Sequence, residues 1–374
     1  MKFLLLILFC IIIDCHIGNT LTLIEHKYET IKGVQVFNLN FDRSELDSFL
    51  LNVKNNGFNT IILRVFHNEG DRYHFFEESH CKSGVYFQTD KVCVVNDILN
   101  YFIDKAHSYH LKVYAWMATR SLSALKNIYG VDKTFIINGT KRDGYGLNIF
   151  DEHVFLDITG LFKELARYNL DGILIQDDLV LKYDESASIE ALHRFYVDTG
   201  IDLRVTDMDK GVADKFAAWK IKQLKYFLSR IVWDVKYLNP DLKIALNIYY
   251  ETPLYIDNAK NWYAQSLKDF KDTGVDYFTF MAYHKQIEEE KNIEFYDAVS
   301  LINSGLKYLI DNIEPDSRVI AKFQIKSFQE KIYIDKLEFE QLCDVVTVYN
   351  KIGVIVLPVE NRTDLKYSCE NFRR

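Results

Sequence analysis

The stretch Asp171-Gly-Ile-Leu-Ile-Gln-Asp-Asp178 decides the fold of this chain, because it is an apolar run that opens at a glycine and ends in two adjacent carboxylates. A run of this kind is typical of a buried parallel strand. In α/β barrels, the carboxyl end of such a strand carries the chemistry. We therefore expect Asp177 and Asp178 to mark the centre of an active site, the alternative being that they only cap the following turn.

Runs of the same character recur on both sides of this stretch and alternate with longer amphipathic segments. The predicted strands are 34–39, 60–66, 112–117, 172–177, 243–249, 277–283, 318–325 and 353–357. The predicted helices lie near 43–55, 94–109, 151–168, 212–237, 259–272, 295–312 and 336–348. Eight strands alternating with helices predict an α/β chain folded as a single-domain (β/α)8 TIM barrel, with insertions around 67–92 and 119–150 on the active-site face.

An open doubly wound sheet is the alternative, but no Gly-x-Gly-x-x-Gly follows the first strand to indicate a dinucleotide site. No spacing resembles a zinc motif either, so we expect neither a cofactor nor a metal. The chain has 374 residues, of which 48% are hydrophobic, enough for a large core. Its formal net charge of −8 disfavours nucleic acid as the main partner and suits a neutral or cationic substrate. Its oligomeric state is not indicated.

The first twenty residues combine a short basic start with an apolar core from Leu4 to Ile13. This pattern predicts a signal peptide over 1–20, a secreted or periplasmic protein, and a mature domain over 21–374 without a membrane span. The alternative is an uncleaved N-terminal anchor. Cys10 and Cys15 lie in or beside the apolar core without the small-residue context of a lipoprotein cleavage site.

Removal of that segment leaves four cysteines, which are Cys81, Cys93, Cys343 and Cys369. An even number in an oxidising compartment permits two disulfides, and Cys81 and Cys93 are the pair closest in sequence. The sequence does not assign the pairing.

The carboxyl ends of all strands in a parallel barrel share one rim, so polar and aromatic side chains at those ends can meet. In chain order they are Arg64, His67, Glu69, Trp116, Arg120, Gln176, Asp177, Asp178, Asn247, Tyr249, Glu251, Tyr283, His284, Gln324, Lys326 and Glu360. Several carboxylates among aromatic side chains, without a serine or cysteine nucleophile motif, are typical of a carbohydrate-cleaving site. Each residue alone also fits a structural role, such as Trp116 in the core or His67 and His284 in surface loops.

Four blocks, in this order, resemble glycoside hydrolase family 153, the hydrolase domain of bacterial poly-β-1,6-N-acetyl-D-glucosamine N-deacetylases. They are K-V-Y-A-W-M at 112–117, D-G-I-L-I-Q-D-D at 171–178, N-I-Y-Y-E at 247–251 with W-Y-A-Q-S-L at 262–267, and F-M-A at 280–282. The resemblance runs from about 30 to 360. It implies a (β/α)8 barrel that acts on partially deacetylated poly-β-1,6-N-acetyl-D-glucosamine, a biofilm polysaccharide.

Three positions depart from the family pattern. Gln176 stands where the family has His, and Tyr283-His284-Lys285 stands where it has Met-Pro-Tyr. Glu288 matches a later acid of the family only with a shift of one residue. These differences leave the predicted acids in place and change the neighbours that would tune them.

Glycoside hydrolysis needs a proton donor and a second group that stabilises positive charge, commonly two carboxyls. Strand alternation places Gln176 and Asp178 on one face and Asp177 on the other, which predicts Asp178 as the inward acid and Asp177 as its support unless the strand bends at its end. Glu251 is the remaining predicted catalytic carboxylate. For an N-acetylated sugar, the acetamido group can itself be the nucleophile, with one carboxylate orienting it. The predicted substrate-binding residues are Arg64, His67, Trp116, Gln176, Asn247, Tyr249, Tyr283, His284 and Gln324, with Trp116, Tyr249 and Tyr283 as sugar-stacking surfaces.

Three hypotheses follow from these patterns. The first is a secreted endo-glycosidase of hexosamine polymers, the second a catalytically silent barrel that binds such a polymer, and the third a structural or interaction barrel. Acids at two strand ends favour the first over the third, whereas only an assay separates the first from the second.

Overall fold

The computed structural model describes residues 28–76, 79–135, 142–349 and 351–369. Its eight parallel barrel strands are β1 (Lys32–Val36), β2 (Thr60–Arg64), β5 (Lys112–Met117), β6 (Gly172–Ile175), β7 (Lys243–Ile248), β8 (Tyr277–Met281), β9 (Val319–Gln324) and β10 (Gly353–Val359). They close in the order β1-β10-β9-β8-β7-β6-β5-β2. The predicted (β/α)8 barrel is thereby confirmed. The predicted signal peptide, with Cys10 and Cys15, lies outside the described residues.

The barrel strands alternate with helices that cover the outer face. These are α1 (Leu46–Asn55), α2 (Leu99–Ser108), α3 (Ser123–Tyr129), α4 (Glu152–Leu165), α5 (Ile189–Thr199), α6 (Lys210–Leu238), α7 (Glu251–Leu254), α8 (Ile256–Tyr263), α9 (Leu267–Phe270), α10 (His284–Lys291), α11 (Phe295–Asn312) and α12 (Lys336–Thr347). No helix of the described residues is long and apolar enough to cross a membrane.

Two predicted helices differ from the structure. The helix expected near 94–109 begins only at Leu99, because Val95 donates its backbone N–H to Val85 in the preceding insertion. The helix expected near 259–272 is two helices, since Ala264 adopts a left-handed conformation with φ 55° and ends α8. The break turns Gln265 inward, where its side chain accepts from the backbone N–H of Tyr249 at 3.0 Å.

The barrel interior is filled by side chains at every second strand position, as a closed sheet of eight strands requires. Gly172 opens β6 because a Cβ atom there would lie 2.2 Å from the ring of Tyr114. The alternate residues Ile173 and Ile175 are fully buried and face the helices. This parity ends with β6 at Ile175, before the two acids.

Three insertions widen the carboxyl-end face of the barrel. The first contains the short strands β3 (Phe66–His67) and β4 (Gly84–Val85) and the Cys81–Cys93 disulfide. The second spans α3 and the loop that leads to α4. The third, which the sequence did not predict as an insertion, follows β6 and includes α5, whose Phe195 packs with Phe216 and Trp219 in a separate small core. A second disulfide joins Cys343 of α12 to Cys369, so both of the disulfides that the cysteine count permits are formed.

Candidate active site

Asp178 is fully buried and held by the loop that follows β5. Its two oxygens accept from the backbone N–H of Thr119 at 3.0 and 2.9 Å, and one also accepts from the Thr119 hydroxyl at 2.7 Å. The other oxygen accepts from the Ser121 N–H at 2.6 Å and from its hydroxyl at 2.7 Å. A carboxylate surrounded by donors in this way cannot pass a proton to a ligand without breaking its own contacts.

Gln176 points the same way as Asp178, as strand alternation predicted, since its amide donates to the Ser121 hydroxyl at 3.1 Å. Both side chains therefore contact the loop that follows β5. Because β6 ends at Ile175, the two acids lie in the turn after the strand. The inward direction of Asp178 and its catalytic role stay predictions.

Asp177, unlike Asp178, is only partly buried, and it lies in the turn directly after β6. Burial raises the pKa of its carboxyl, the charge of Asp178 acts in the same direction, and the ammonium of Lys322 opposes both. A raised pKa extends the pH range over which this carboxyl keeps its proton, which suits a general acid.

Lys322 is a residue of the site that the sequence analysis missed. It lies inside β9 with 2% of its surface exposed, and its Nζ donates to Asn247 Oδ1 at 2.8 Å. Burial lowers the pKa of Lys322 to about 7, while the charge of Asp177 opposes this shift. The sequence does contain a signal, because Lys322 interrupts the apolar run Val319–Gln324 at an inward position.

Asn247, predicted to bind substrate, lies below the mouth and is committed to the protein. Its Oδ1 accepts from Thr279 as well as Lys322, and its Nδ2 donates to the carbonyl of Ile175 at 3.0 Å. Because Ile175 ends β6, Asn247 holds the base of the segment that carries the acids. Both ends of its amide are therefore used by protein contacts, and its binding to a substrate stays a prediction.

Glu251 begins α7 and occupies a different electrostatic environment from Asp177. Burial raises the pKa of its carboxyl, with Glu290 adding to the shift and Lys291 opposing it. One oxygen, Oε2, has no hydrogen-bond partner among the described residues. The Glu251 carboxyl is thus buried, its pKa is raised, and one of its oxygens has no partner among the described residues.

Aromatic side chains surround Asp177 on three sides. The Tyr249 hydroxyl donates to the Asp177 carbonyl at 2.8 Å, and its ring stacks on Tyr263 at 4.8 Å. Burial, together with the Asp177 charge, raises the pKa of Tyr249, Tyr283 and Tyr145, so these phenols are neutral at physiological pH. Neutral rings and hydroxyls of this kind can stack on sugars and hydrogen-bond to them.

The aromatic surface continues beyond Tyr263. Its chain neighbour Trp262 contacts Tyr183, with ring centroids 4.9 Å apart, and the two side chains are 53% and 49% exposed. Tyr183 follows Asp177 on the same segment of chain. The exposed Tyr183–Trp262 pair was not predicted. Tyr183 is close to the acids in sequence, and Trp262 is the chain neighbour of Tyr263, which stacks on Tyr249.

Trp116 and Arg64 lie on β5 and β2, the two strands that follow β6 in the order of the barrel, and His67 comes shortly after β2. Trp116 packs on Phe37 at 4.8 Å, and its Nε1 has no acceptor among the described residues. Arg64 lies 5.5 Å from the Trp116 ring and pairs with Asp71 of the first insertion. His67 is buried and stacked on a tyrosine of the same insertion, whereas Arg64 Nε, like Trp116 Nε1, has no hydrogen-bond partner among the described residues.

Arg120 lies at the rim, as its strand-end position suggested, but is fully enclosed. It contacts Glu185 through two nitrogens at 3.1 Å, and Asp132 lies 3.6 Å away. Glu185 in turn accepts from the backbone N–H of Tyr145 and Gly146. This buried ion-pair cluster ties the second insertion to the third and sets Tyr145 beside the acids.

His284 and Gln324 are both buried and held by protein contacts. His284 is completely buried at the start of α10, with its ring on Phe295 and its Nε2 3.6 Å from Glu338, and burial lowers its pKa to about 4. Gln324 is also fully buried, and its amide donates to the Lys326 carbonyl at 3.0 Å. A substrate contact of these two side chains stays a prediction.

One group of three side chains among the described residues has metal-ligand spacing, namely His80, Cys81 and Cys93. The two cysteines form a disulfide, so their sulfurs are not thiolate ligands.

Comparisons with known proteins agree with this geometry. Residues 37–355 match a family described as hypothetical glycosyl hydrolase family 13. The fold is similar to that of the PgaB (BpsB) glycoside hydrolase domain from Bordetella bronchiseptica, with a TM-score of 0.72 and 21% identity over 92% of this chain and 97% of that one. This likeness confirms the resemblance found in the sequence blocks.

More distant barrels share the fold. An endo-1,4-β-mannanase from Rhizomucor miehei has a TM-score of 0.59 at 10% identity, over 92% of this chain and 94% of that one. The α-L-fucosidase isoenzyme 2 from Paenibacillus thiaminolyticus also reaches 0.59, at 12% identity, over 90% of this chain and 48% of that one. No curated protein matches the chain.

Proposed function

Because the chain belongs to hypothetical glycosyl hydrolase family 13, we propose that it is a secreted glycoside hydrolase that cleaves a hexosamine polysaccharide within the chain. The proposed substrate is partially deacetylated poly-β-1,6-N-acetyl-D-glucosamine, which the sequence blocks imply. The observation that carries the proposal is Asp177, a carboxyl of raised pKa at the end of β6, enclosed by tyrosines and opposed by a buried lysine.

Asp177 is the proposed proton donor. The bond between the anomeric carbon and the leaving oxygen breaks, the leaving oxygen takes the proton of Asp177, and the positive charge that develops on the sugar is stabilised by a second carboxylate. A water molecule then forms the new bond to the anomeric carbon through its oxygen and gives up a proton to a carboxylate. One proton is given to the leaving oxygen and one is taken from the water, so the reaction balances without any cofactor.

Glu251 is the proposed second carboxyl. It is buried close to Tyr263, whose pKa is raised by burial and by the Glu251 charge, and Tyr263 stacks on the Tyr249 that binds Asp177. Asp178 supports the acid through its fixed position in the Thr119 and Ser121 shell. Trp116, Tyr249, Tyr283 and the Tyr183–Trp262 pair form the proposed sugar surfaces.

The charge of the chain supports a polymer with free amines. Its net charge is −8, and cationic sugars are drawn to negative potential. Secretion is supported by the apolar N-terminal segment and by two disulfides, which form and persist in oxidising compartments.

The experiment is incubation of the protein with partially deacetylated and fully acetylated poly-β-1,6-N-acetyl-D-glucosamine, followed by mass spectrometry of the products. We expect shorter oligomers from the partially deacetylated polymer, and a preference that weakens with salt because charges are screened over about 8 Å at physiological ionic strength. Equal cleavage of both polymers at low salt would remove the amine preference. Binding without any cleavage would identify the barrel as a catalytically silent polysaccharide-binding protein.

A further inference from the structure

Lys322 is a charged residue in the interior of a barrel whose other β9 neighbours are apolar or amide side chains. It occupies the fourth position of β9, two residues below the strand end, and is 2% exposed. A buried ammonium is costly unless it is paired and hydrogen-bonded. Packing alone therefore does not explain why a lysine occupies this position.

Lys322 donates a hydrogen bond to a neutral group. Asn247 Oδ1 accepts from its Nζ at 2.8 Å and also accepts from the Thr279 hydroxyl at 2.7 Å. The Tyr283 ring centroid lies 5.8 Å from the ammonium. Among the described residues, no carboxylate oxygen lies within the 4 Å of a direct ion pair with Lys322.

Asn247, which accepts from Lys322, donates through its Nδ2 to the carbonyl of Ile175 at 3.0 Å, two residues before Asp177. This contact places Lys322 at the base of the segment that carries Asp177, and the Asp177 charge raises the pKa of Lys322 against the effect of burial. The titratable groups that face Asp177 are Asp178 from its own segment, Tyr145 from the second insertion, Tyr249 from the end of β7, Tyr283 after β8, and Lys322 from β9. The tyrosines are neutral, and Asp178 is surrounded by the donors of Thr119 and Ser121. Lys322 is therefore the positive charge that opposes Asp177.

We propose that Lys322 is a positioning residue of the reaction, held away from direct contact by Asn247 so that its charge acts on Asp177 through space while the Asp177 oxygens stay free for the substrate. The proposal rests on the proposed function of Asp177 as the acid. A direct ion pair would occupy the oxygen that must donate the proton. Removal of the charge raises the pKa of Asp177 further, because an opposite charge favours the ionised form.

Two matched variants separate the charge from the hydrogen bond. Lys322→Gln removes the ammonium and keeps a donor for Asn247, whereas Thr279→Val removes a hydrogen bond to the same oxygen and keeps the charge. The pH profile of kcat/KM on the amino-sugar polymer is the readout. For Lys322→Gln we expect the alkaline limb of the profile to move to higher pH by about 1 unit, because the opposite charge that favours ionised Asp177 is lost. The wild type and the variant are compared below pH 7, where the wild-type ammonium is charged. Thr279→Val should leave the limb at the wild-type pH.

If the acidic limb moves upward instead, the through-space coupling stands and the acid role of Asp177 fails. An unchanged profile for Lys322→Gln overturns the inference about Lys322.

A second measurement does not depend on activity. Melting temperatures of the wild type, Lys322→Gln, Asp177→Asn and the double variant, recorded over a series of pH values, form a cycle that reports the coupling of the two side chains. Where Asp177 is ionised and Lys322 is charged, we expect the double variant to melt higher than the sum of the single effects, since it leaves neither charge unopposed. Additive shifts at every pH overturn the inference even if no substrate is cleaved. Should Lys322→Gln fail to fold, Lys322→Met serves in the same cycle, because well-packed apolar replacements of buried charges are often tolerated.

Discussion

The backbone N–H of Thr119 donates to both carboxylate oxygens of Asp178, at 3.0 and 2.9 Å. This contact joins the loop after β5 to the segment after β6, whereas the adjacent Asp177 is only partly buried. Two neighbouring acids with the same side chain thus have different surroundings, because one is saturated with donors from that loop and the other is not.

The first prediction contrasts these two acids. Asp177→Asn should lower kcat by about 10²–10⁴-fold, the usual contribution of a general acid, while polymer binding is kept and the protein stays folded. Asp178→Asn should lower the melting temperature, because the amide group of asparagine opposes donors from Thr119 and Ser121 with donors of its own. Activity assays and circular dichroism on both variants test this. A stable and inactive Asp178→Asn beside an active Asp177→Asn would reverse the assignment.

The second prediction concerns Glu251→Gln. Glutamine keeps the shape but can neither hold the negative charge nor donate an acidic proton, so an interaction needed in the transition state is lost. We expect kcat to fall by at least about 10²-fold, in the range of acid–base contributions, with little change in KM. Glu290→Gln is the control, since it alters a charge that acts on Glu251 without removing the carboxyl itself. A Glu251→Gln enzyme with normal turnover would exclude this residue from the chemistry.

The third prediction tests the exposed aromatic pair. Trp262→Ala and Tyr183→Ala should raise KM for long polymers and leave kcat nearly unchanged, because rings distant from the broken bond contribute uniform binding. Tyr296→Ala is a matched control, as Tyr296 is 73% exposed on α11. Steady-state kinetics on oligomers of increasing length provide the measurement. If KM is the same for all lengths in Trp262→Ala, this surface does not bind the substrate.

The fourth prediction concerns the buried ion pairs of Arg120. Arg120→Met leaves Glu185 and Asp132 without their cation and should lower the free energy of unfolding by about 3–5 kcal/mol, the usual cost of breaking a buried pair. Lys133→Met breaks an exposed pair with Asp143 and should cost only about 0–1 kcal/mol. Urea unfolding of both variants decides between them. Similar losses for the two would mean that the Arg120 cluster does not hold the insertions together.

The fifth prediction follows from Lys220, which is 1% exposed on α6 and donates to the carbonyls of Lys182 and Tyr183. Burial lowers its pKa from 10.5 to about 7. Between these values the unfolded chain binds the proton and the folded chain does not, so this residue makes stability rise as pH increases from about 7 towards 10.5. Lys322 acts in the same direction.

Melting temperatures between pH 6 and 9 check this slope. In Lys220→Met the slope should be smaller than in the wild type, although Lys322 preserves part of it. Lys215→Met, at an exposed position of the same helix, should keep the full slope. A wild-type slope in Lys220→Met would mean that the buried lysine stays charged.

Several elements show which parts of the fold can be predicted from the local sequence pattern. The bounds 112–117 were predicted for a strand and are those of β5, and the helix predicted at 295–312 coincides with α11, because uninterrupted periodicity marks both. The break at Ala264 was missed, since a left-handed alanine carries no sequence signal and is fixed by the inward contacts of Gln265. His284 looked like a rim residue by its position, but the first turn of α10 carries it into the core.

The order of apolar strands and amphipathic helices by itself determined the barrel and the end of it that carries polar groups, because periodicity and burial act within each segment. It also determined that acids lie at the ends of two strands. Only the tertiary structure decided which of the two acids is saturated with hydrogen bonds. The chain leaves β6 at Ile175, and Asp178 accepts hydrogen bonds from a loop fifty-nine residues earlier in the chain. It likewise decided that Lys322 opposes Asp177, because a closed sheet brings β9 and β6 to one interior although no local pattern relates them.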